Sequence, residues 1–546
     1  MGARRHLEWA IILTVLVNAA AMFSPIINSG DAITYASLAQ HIVLSHDWVS
    51  LVLDGQDWLD KPHLPFWITA LFFKLWGVSS VTYILPGFIF HLIGAYYTYR
   101  LARLLYDKQT AVLAVLIYVS VFNLMDASIE IKAETYLTGM IMPACYYWLR
   151  YDAQFRIRYL LLGALFTAMA IMTKGIFTIF TIFSGMVCLW LYRKQWSKLF
   201  SLKWLAALAL SLLLVAPELV ALHLQFNQQA GTEHPVSALK FFFWDSQFGR
   251  FFNTGPIQNH NGSLYYFVFV FLWAFLPWPM IFFAAIHAHY KAFNKAVPAE
   301  RAAFVFLACA FACTFLMFSA TKFQFDYYID IIFPFAAILC ARYLNSSRIS
   351  RPLFVVQMGL LLLLVLATIA LGIYVNNSTM LAAITVILAG LIFYIFRTRA
   401  ASYDFRAVMY SVFAINLVYA FLTLLSALTF MQYSLAYNAA ELTGKQSGIP
   451  VYVYKMPEAA RELALYSKAP CHAIDTFNPE SRPKQKSYLV IRHDQLEQLR
   501  LGAAQYLPVA NMNLVVHKTG TFNKLLQLAK GIWPLENIDI IELPAS

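Results

Sequence analysis

The sequence predicts a mainly α-helical, polytopic membrane protein with a small α/β domain at its C-terminal end. Three observations carry that expectation. Of the 546 residues, 60% are hydrophobic and only 12% charged, with mean hydropathy +0.61; soluble chains average about 25% charged residues. Apolar runs of membrane-crossing length, about 20 residues, recur through most of the chain. After residue 434 the pattern changes to short strand-like runs alternating with helical ones.

Taken in order, the apolar segments at 8–28, 80–104, 109–125, 135–150, 158–172, 175–192, 204–224, 263–286, 302–319, 327–342, 353–375, 379–396 and 407–430 read as thirteen transmembrane helices. Several are short, and tilt or break near the surface would accommodate them. The N-terminus, MGARRHLEWAIIL, has the charge of a signal peptide but no small-residue cleavage site, so it reads as an uncleaved first span. Residues 1–434 form one membrane domain, with long connections at 29–79 and 225–262. In 435–546, strands are expected at 449–455, 487–492 and 512–518, and helices at 457–467, 494–502 and 521–532. That alternation is the mark of a small α/β domain.

The net charge of +12 could suggest nucleic acid, but the basic residues sit in short loops between apolar segments, which excludes that reading. One alternating set of connections carries 21 Lys and Arg, the other set only 7. The bias places the N-terminus in the cytoplasm, and the long loops and the tail on the outer face. Five of the six cysteines fall in apolar segments and only Cys471 lies outside, so there is neither a disulfide framework nor a zinc pattern.

Chemistry concentrates in the stretch from Asn28 to Trp67, which carries Asp31, Asp47, Asp54, Asp57 and Asp60, then Lys61 and His63. The short connection 126–134 adds Asp126, Glu130, Lys132 and Glu134. The second long loop adds His234, Asp245, Arg250 and His260, and the edge TKFQFDYYIDIIFP adds Lys322, Asp326, Tyr327, Tyr328 and Asp330. Each has a structural alternative. Asp31 could cap a helix, Lys61 could anchor at the interface, and Tyr327 and Tyr328 fit an aromatic belt. Lys61 could pair with Asp60, and Arg250 with Asp245. Their convergence on one face is what points to function. A carboxylate can serve as general base to an acceptor hydroxyl. Lysine and arginine can hold a phosphate and offset its developing charge. No Gly-rich phosphate loop is present, so ATP is not implied.

The pieces GDAITYASLAQHI, DKPHLPFW, KAETYLTGM, MTKGIF, FGRFFN, YYFVFVFLWAFLPWP and KFQFDYYIDIIFPFAAIL together resemble the GT-C membrane glycosyltransferases of the protein-mannosyltransferase type. The likeness is greatest to bacterial aminoarabinose transferases that modify lipid A. The resemblance covers roughly residues 25–340. It implies an inverting transferase that moves a sugar from a polyprenyl-phosphate carrier to a lipid, glycan or protein acceptor on the outer face of the inner membrane. It implies that Asp31 and Glu134 are the catalytic acids, and that Lys61, Arg250, Tyr328 and Lys322 contact the donor phosphate. It also places Asp60 and His260 near a divalent metal site. Two positions depart from the family pattern: Ala32 follows Asp31 where a second acid often stands, and His63 replaces the second proline of the corner. A transporter or lipid flippase is the competing reading. It expects ionisable groups at mid-span and paired broken helices.

Overall fold

The computed structural model describes residues 2–23, 30–227, 237–259, 262–375, 385, 388, 390, 394, 398, 401–443, 448–467, 469–477, 485–499, 505–515 and 522–545. Among these, seven helices are long and apolar enough to cross a membrane. The pair Tyr266–Ala274 and Pro279–Ala292, bent by 110°, meets the same test only when taken together, as a broken span or a re-entrant loop. Of the thirteen expected spans, four are helices that fall short in length or hydropathy: Gly2–Ala21, Lys108–Val119, Ala133–Gln154 and Phe177–Tyr192. The segment 379–396 lies largely outside the described residues. The molecule is a multi-pass helical membrane protein.

Local sequence sets where these helices begin and how closely they pack. Ser79 and Thr82 form a reciprocal cap at the start of Ser80–Leu105, the Ser79 hydroxyl accepting from the Thr82 N–H at 3.2 Å. At the other end, Asp107 caps Lys108–Val119 by accepting from the Thr110 N–H at 2.9 Å. Gly139 allows the backbones of Ala133–Gln154 and Ser80–Leu105 to touch, since a Cβ there would lie 2.3 Å from the Phe90 carbonyl oxygen. Gly175, with φ +99°, ends the helix that carries Lys174.

The connection 29–79 is itself structured. Helix Gly30–Ser45 leads into a small antiparallel hairpin, β1 (Val52–Leu53) and β2 (Gln56–Asp57), then the Asp60–His63 corner and helix Leu64–Trp76. In the tail, the long Tyr403–Tyr433 helix stops at Ser434, and Leu435 begins a separate apolar core. The tail sheet has strand order β4-β3-β5-β7-β6, with β3 (Val451–Tyr454), β4 (Cys471–Ile474), β5 (Ser487–Arg492), β6 (Leu507–Leu514) and β7 (Glu536–Leu543). β3 runs parallel to β4 and β5, whereas β7 is antiparallel to β5 and β6. The expected helices appear as Pro457–Tyr466, His493–Leu499 and Phe522–Ala529. β6 starts earlier than the expected 512–518. The helix Pro457–Tyr466 docks the tail onto the first connection. Arg461 pairs with Asp54 at 3.3 Å, and the Gln40 side-chain amide donates to the Ala464 carbonyl at 3.0 Å.

Candidate active site

The site is assembled from segments far apart in sequence. Asp60 and Lys61 stand at the corner between hairpin and helix, where Lys61 Nζ donates to Asp60 at 2.8 Å. Arg250 reaches the same carboxylate from the second long connection, through both the Asp60 side chain and its backbone carbonyl, the latter at 3.3 Å. Arg250 therefore pairs with Asp60, not with Asp245. It follows directly on a nine-residue π-helix, Phe241–Gly249. That rare geometry often marks functional positions.

All three groups are largely withdrawn from water, their side chains 27%, 17% and 12% exposed for Asp60, Lys61 and Arg250. Burial works to raise the Asp60 carboxyl, but Lys61 and then Arg250 outweigh it and hold it below its ordinary value. The Lys61 ammonium is pushed down by burial and by Arg250, with Asp60 opposing. Two cations thus share one carboxylate, which leaves one positive charge over.

Beside Arg250 lies a cavity of about 680 Å³, counting its open mouth. Its lining includes the polar side chains of Arg250, Tyr328, Lys174 and Glu134 and the apolar ones of Phe177, Met317, Phe318 and Ile331. Glu134 is buried at the start of helix Ala133–Gln154 and ion-pairs with Lys174. Lys174 Nζ also sits 3.7 Å from the centre of the Tyr328 ring. Tyr328 is buried, and Arg250 acts electrostatically on its hydroxyl.

Asp31 is exposed, in the first turn of helix Gly30–Ser45, where a negative charge complements the helix dipole. The Tyr327 hydroxyl faces it at 3.5 Å. Lys132 lies over the other side of the Tyr327 ring, 4.4 Å from its centre. Asp31 acts electrostatically on both Lys61 and Tyr328, so it belongs to the same neighbourhood.

The structure therefore gathers Asp31, Asp60, Lys61, Glu134, Arg250 and Tyr328 at one end of the bundle. It does not bring Lys322 with them. The Lys322 side chain is exposed and lines no part of the cavity, while its backbone bridges Phe251 (N–H to carbonyl, 2.9 Å) and Gly262 (carbonyl from N–H, 2.6 Å). His260 and His234 lie outside the described residues. Sequence reasoning missed Lys174 as a site residue. Its signal was a charge at the end of an apolar run, and its partner Glu134 is 40 positions away.

The Asp60 carboxylate is engaged by Lys61 and Arg250, and among the described residues no group of three or more His, Cys, Asp or Glu could hold a metal ion; His260, the other expected ligand, lies outside them.

Comparison with known proteins agrees with the motif resemblance. Residues 60–220 match the family model for dolichyl-phosphate-mannose-protein mannosyltransferase. The chain is 25% identical over 318 residues to undecaprenyl phosphate-alpha-4-amino-4-deoxy-L-arabinose arabinosyl transferase 2 of Proteus mirabilis, spanning 57% of this chain and 54% of that protein. It is 24% identical over 368 residues to the corresponding transferase of Pseudomonas aeruginosa, spanning 65% and 63%. The chain thus aligns with about half to two thirds of the length of these relatives. In fold it matches the crystal structure of ArnT from Cupriavidus metallidurans bound to undecaprenyl phosphate. The TM-score is 0.70 at 16% identity, over 98% of this chain and 97% of that one. The apo form of the same protein matches with a TM-score of 0.69. In sequence and fold the chain is therefore similar to the GT-C glycosyltransferases of the protein-mannosyltransferase and aminoarabinose-transferase type.

Proposed function

We propose that the protein is an inverting glycosyltransferase that uses a polyprenyl-phosphate-linked sugar, with lipid A as the favoured acceptor class. The observation that carries this reading is the grip beside the cavity. Lys61 and Arg250 come from two separate connections and converge on one carboxylate, and Arg250 also lines a cavity with many apolar side chains. A lipid phosphate has both the charge and the apolar chain to match.

In this mechanism an acceptor oxygen attacks the anomeric carbon of the donor sugar, and the bond from that carbon to the phosphate oxygen breaks. The configuration inverts, and polyprenyl phosphate leaves with an added negative charge. Lys61, Arg250 and the Tyr328 hydroxyl stabilise that charge as it develops. Where the acceptor is a hydroxyl, Asp31 takes its proton; where it is a phosphate, the attacking oxygen is already ionised and Asp31 orients the sugar. Glu134 pairs with Lys174 in the cavity lining.

The charge bias of the connections supports a cytoplasmic N-terminus, with the site and tail on the periplasmic side of the inner membrane. Alkaline phosphatase fused to the C-terminus is expected to be active, and a green fluorescent protein fusion dark. Among the described residues, the buried ionisable pairs Glu134–Lys174 and His63–Glu218 sit with the Asp60 cluster at one end of the bundle, which disfavours a transporter. The direct test compares outer-membrane lipids and glycoproteins of wild-type and deletion strains by mass spectrometry. The expected result is loss of one sugar from a lipid species; unchanged profiles together with no transfer from polyprenyl-phosphate sugars by the purified protein would overturn the reading.

A further inference from the structure

Against the corner lies a compact apolar cluster. It joins Leu59, Leu64 and Trp67 from either side of the corner to Val215 and Leu222, to Ala238 and Phe242 of the segment leading to Arg250, and to Ile171 and Met172 of the helix ending at Lys174. Beside it, helix Ala216–Asn227 presents two buried polar side chains, seven positions apart and so two turns along the same face. Glu218 is fully buried and Gln225 is 2% exposed.

Both grip the first connection. Glu218 accepts from the His63 backbone N–H at 2.9 Å, and its other oxygen meets His63 Nδ1 at 2.9 Å. The His63 ring is buried, and its Nε2 lies 2.9 Å from the Val49 carbonyl, an acceptor only, so Nε2 carries a hydrogen. Gln225 bonds the Leu51 backbone in both directions, accepting from its N–H at 3.1 Å and donating to its carbonyl at 2.9 Å. It also donates to Asp57 at 3.0 Å.

We infer that Glu218 is a positioning residue: through His63 it fixes the register of the corner that presents Asp60 and Lys61 to Arg250. The inference rests on the proposed function for what Lys61 does, but not for the anchoring itself. Apolar contacts are non-directional and tolerate sliding, whereas three hydrogen bonds at defined atoms do not. A slip of one residue would carry Lys61 about 3.5 Å along the chain, enough to break a shared grip on one phosphate. A buried carboxylate in a membrane-embedded helix is costly unless paired, and this one has a partner only in the observed register. The departure of His63 from proline is thereby accounted for, since proline offers neither the N–H nor the ring.

Hydrogen bonding, not charge, is the operative property, which gives the test its discriminating variants. Glutamine at 218 can accept from the His63 N–H and donate to Nδ1 of the neutral ring, preserving the clamp. Leucine can do neither. Glu218→Gln, Glu218→Leu and the double variant His63→Pro/Glu218→Leu are purified as full chains in nanodiscs. Hydrogen exchange is read over residues 47–63, and undecaprenyl phosphate is titrated with tryptophan fluorescence. Glu218→Leu is expected to speed exchange across 47–63 and raise the dissociation constant about tenfold or more, while circular dichroism stays unchanged. Glu218→Gln is expected to stay within about threefold of wild type. The double variant, which removes the same clamp from both sides, is expected to be about as impaired as Glu218→Leu, and a loss that instead adds to that of Glu218→Leu would overturn the inference. Unchanged exchange in Glu218→Leu, or Glu218→Gln as impaired as Glu218→Leu, would overturn the inference. Wild-type protein that fails to bind undecaprenyl phosphate would instead overturn the proposed function, and the exchange data would still decide the anchoring. Gln225→Leu, expected to speed exchange around Leu51, is the independent check should Glu218→Leu fail to fold.

Discussion

Two charged clusters sit at opposite ends of helix Ser80–Leu105, and they are built from the same residue types in opposite proportion. At one end Lys61 and Arg250 share Asp60, two cations to one acid, with all three side chains largely shielded. At the other end Arg342 lies between Asp107, at 3.5 Å, and Glu300, one cation to two acids, with the acids 45% and 39% exposed. Asp107 is also the cap of Lys108–Val119 and accepts from Asn345 at 3.1 Å. The second cluster is complete in itself: its acids are hydrated, its cation is covered, and it joins helix ends. The first sets two shielded cations on one shielded acid beside a cavity. Charge imbalance combined with burial, rather than the presence of ion pairs, separates a binding site from a structural tie.

Substitutions in each cluster separate the two roles. Asp31→Asn keeps shape and hydrogen bonding but removes the charge facing Tyr327. Turnover with a hydroxyl acceptor is expected to fall about 10²–10⁴-fold with normal insertion and expression. Near-full turnover of the purified variant would reduce Asp31 to a helix-end charge. Arg342→Met, in the structural cluster, should leave the donor kcat/KM within about twofold and change stability by about 1 kcal/mol or less, as partly exposed pairs do. A large loss of activity with retained folding would erase the distinction drawn here.

A third cluster holds acids in excess. Burial first, and then the neighbouring Glu130, push the Asp126 carboxyl up to about 7. Its folded form thus holds a proton that the unfolded chain releases near pH 4. Stability should fall as pH rises from about 4 to about 7 and level off above, because the native state binds more protons in that window. Asp126→Asn should flatten this part of the profile, which thermal unfolding in detergent at pH 5 and pH 8 would measure. An identical slope in wild type and variant would remove Asp126 from the cause.

Much of this was legible in the sequence, for reasons that differ by region. The helices were readable because about 20 apolar residues in a row have few other interpretations, and every expected span within the described residues is helical. The tail was half readable. β3 and β5 are compact apolar runs, but β4 (Cys471–Ile474) is four residues long, and β7 mixes acids into ENIDIIEL although it lies between β5 and β6. At the site, the convergence of Lys61, Arg250 and Tyr328 on one face followed from their outward connections. What pairs with what did not. Asp60 is the hub of the cationic grip, and Arg250 reaches it across 190 positions, passing over the nearer Asp245. The Glu134–Lys174 and His63–Glu218 pairs are likewise products of tertiary packing. Lys322 shared the expected edge with Tyr328, but the chain turns it outward to the surface.

The central claim is that the shielded cationic surplus at Asp60 holds the donor's phosphate. Its most direct measurement is a titration of polyprenyl-phosphate sugar at saturating acceptor, for wild type, Lys61→Met and Arg250→Met, followed by a titration of acceptor at saturating donor. Charge-assisted contacts to phosphate are about twice as strong as neutral ones, and loss of one group that stabilises developing charge typically costs about 10²–10³ in rate. Both variants are therefore expected to lose donor kcat/KM by about 10² or more, with the acceptor KM nearly unmoved. Donor dependence and turnover unchanged in both variants would contradict the account.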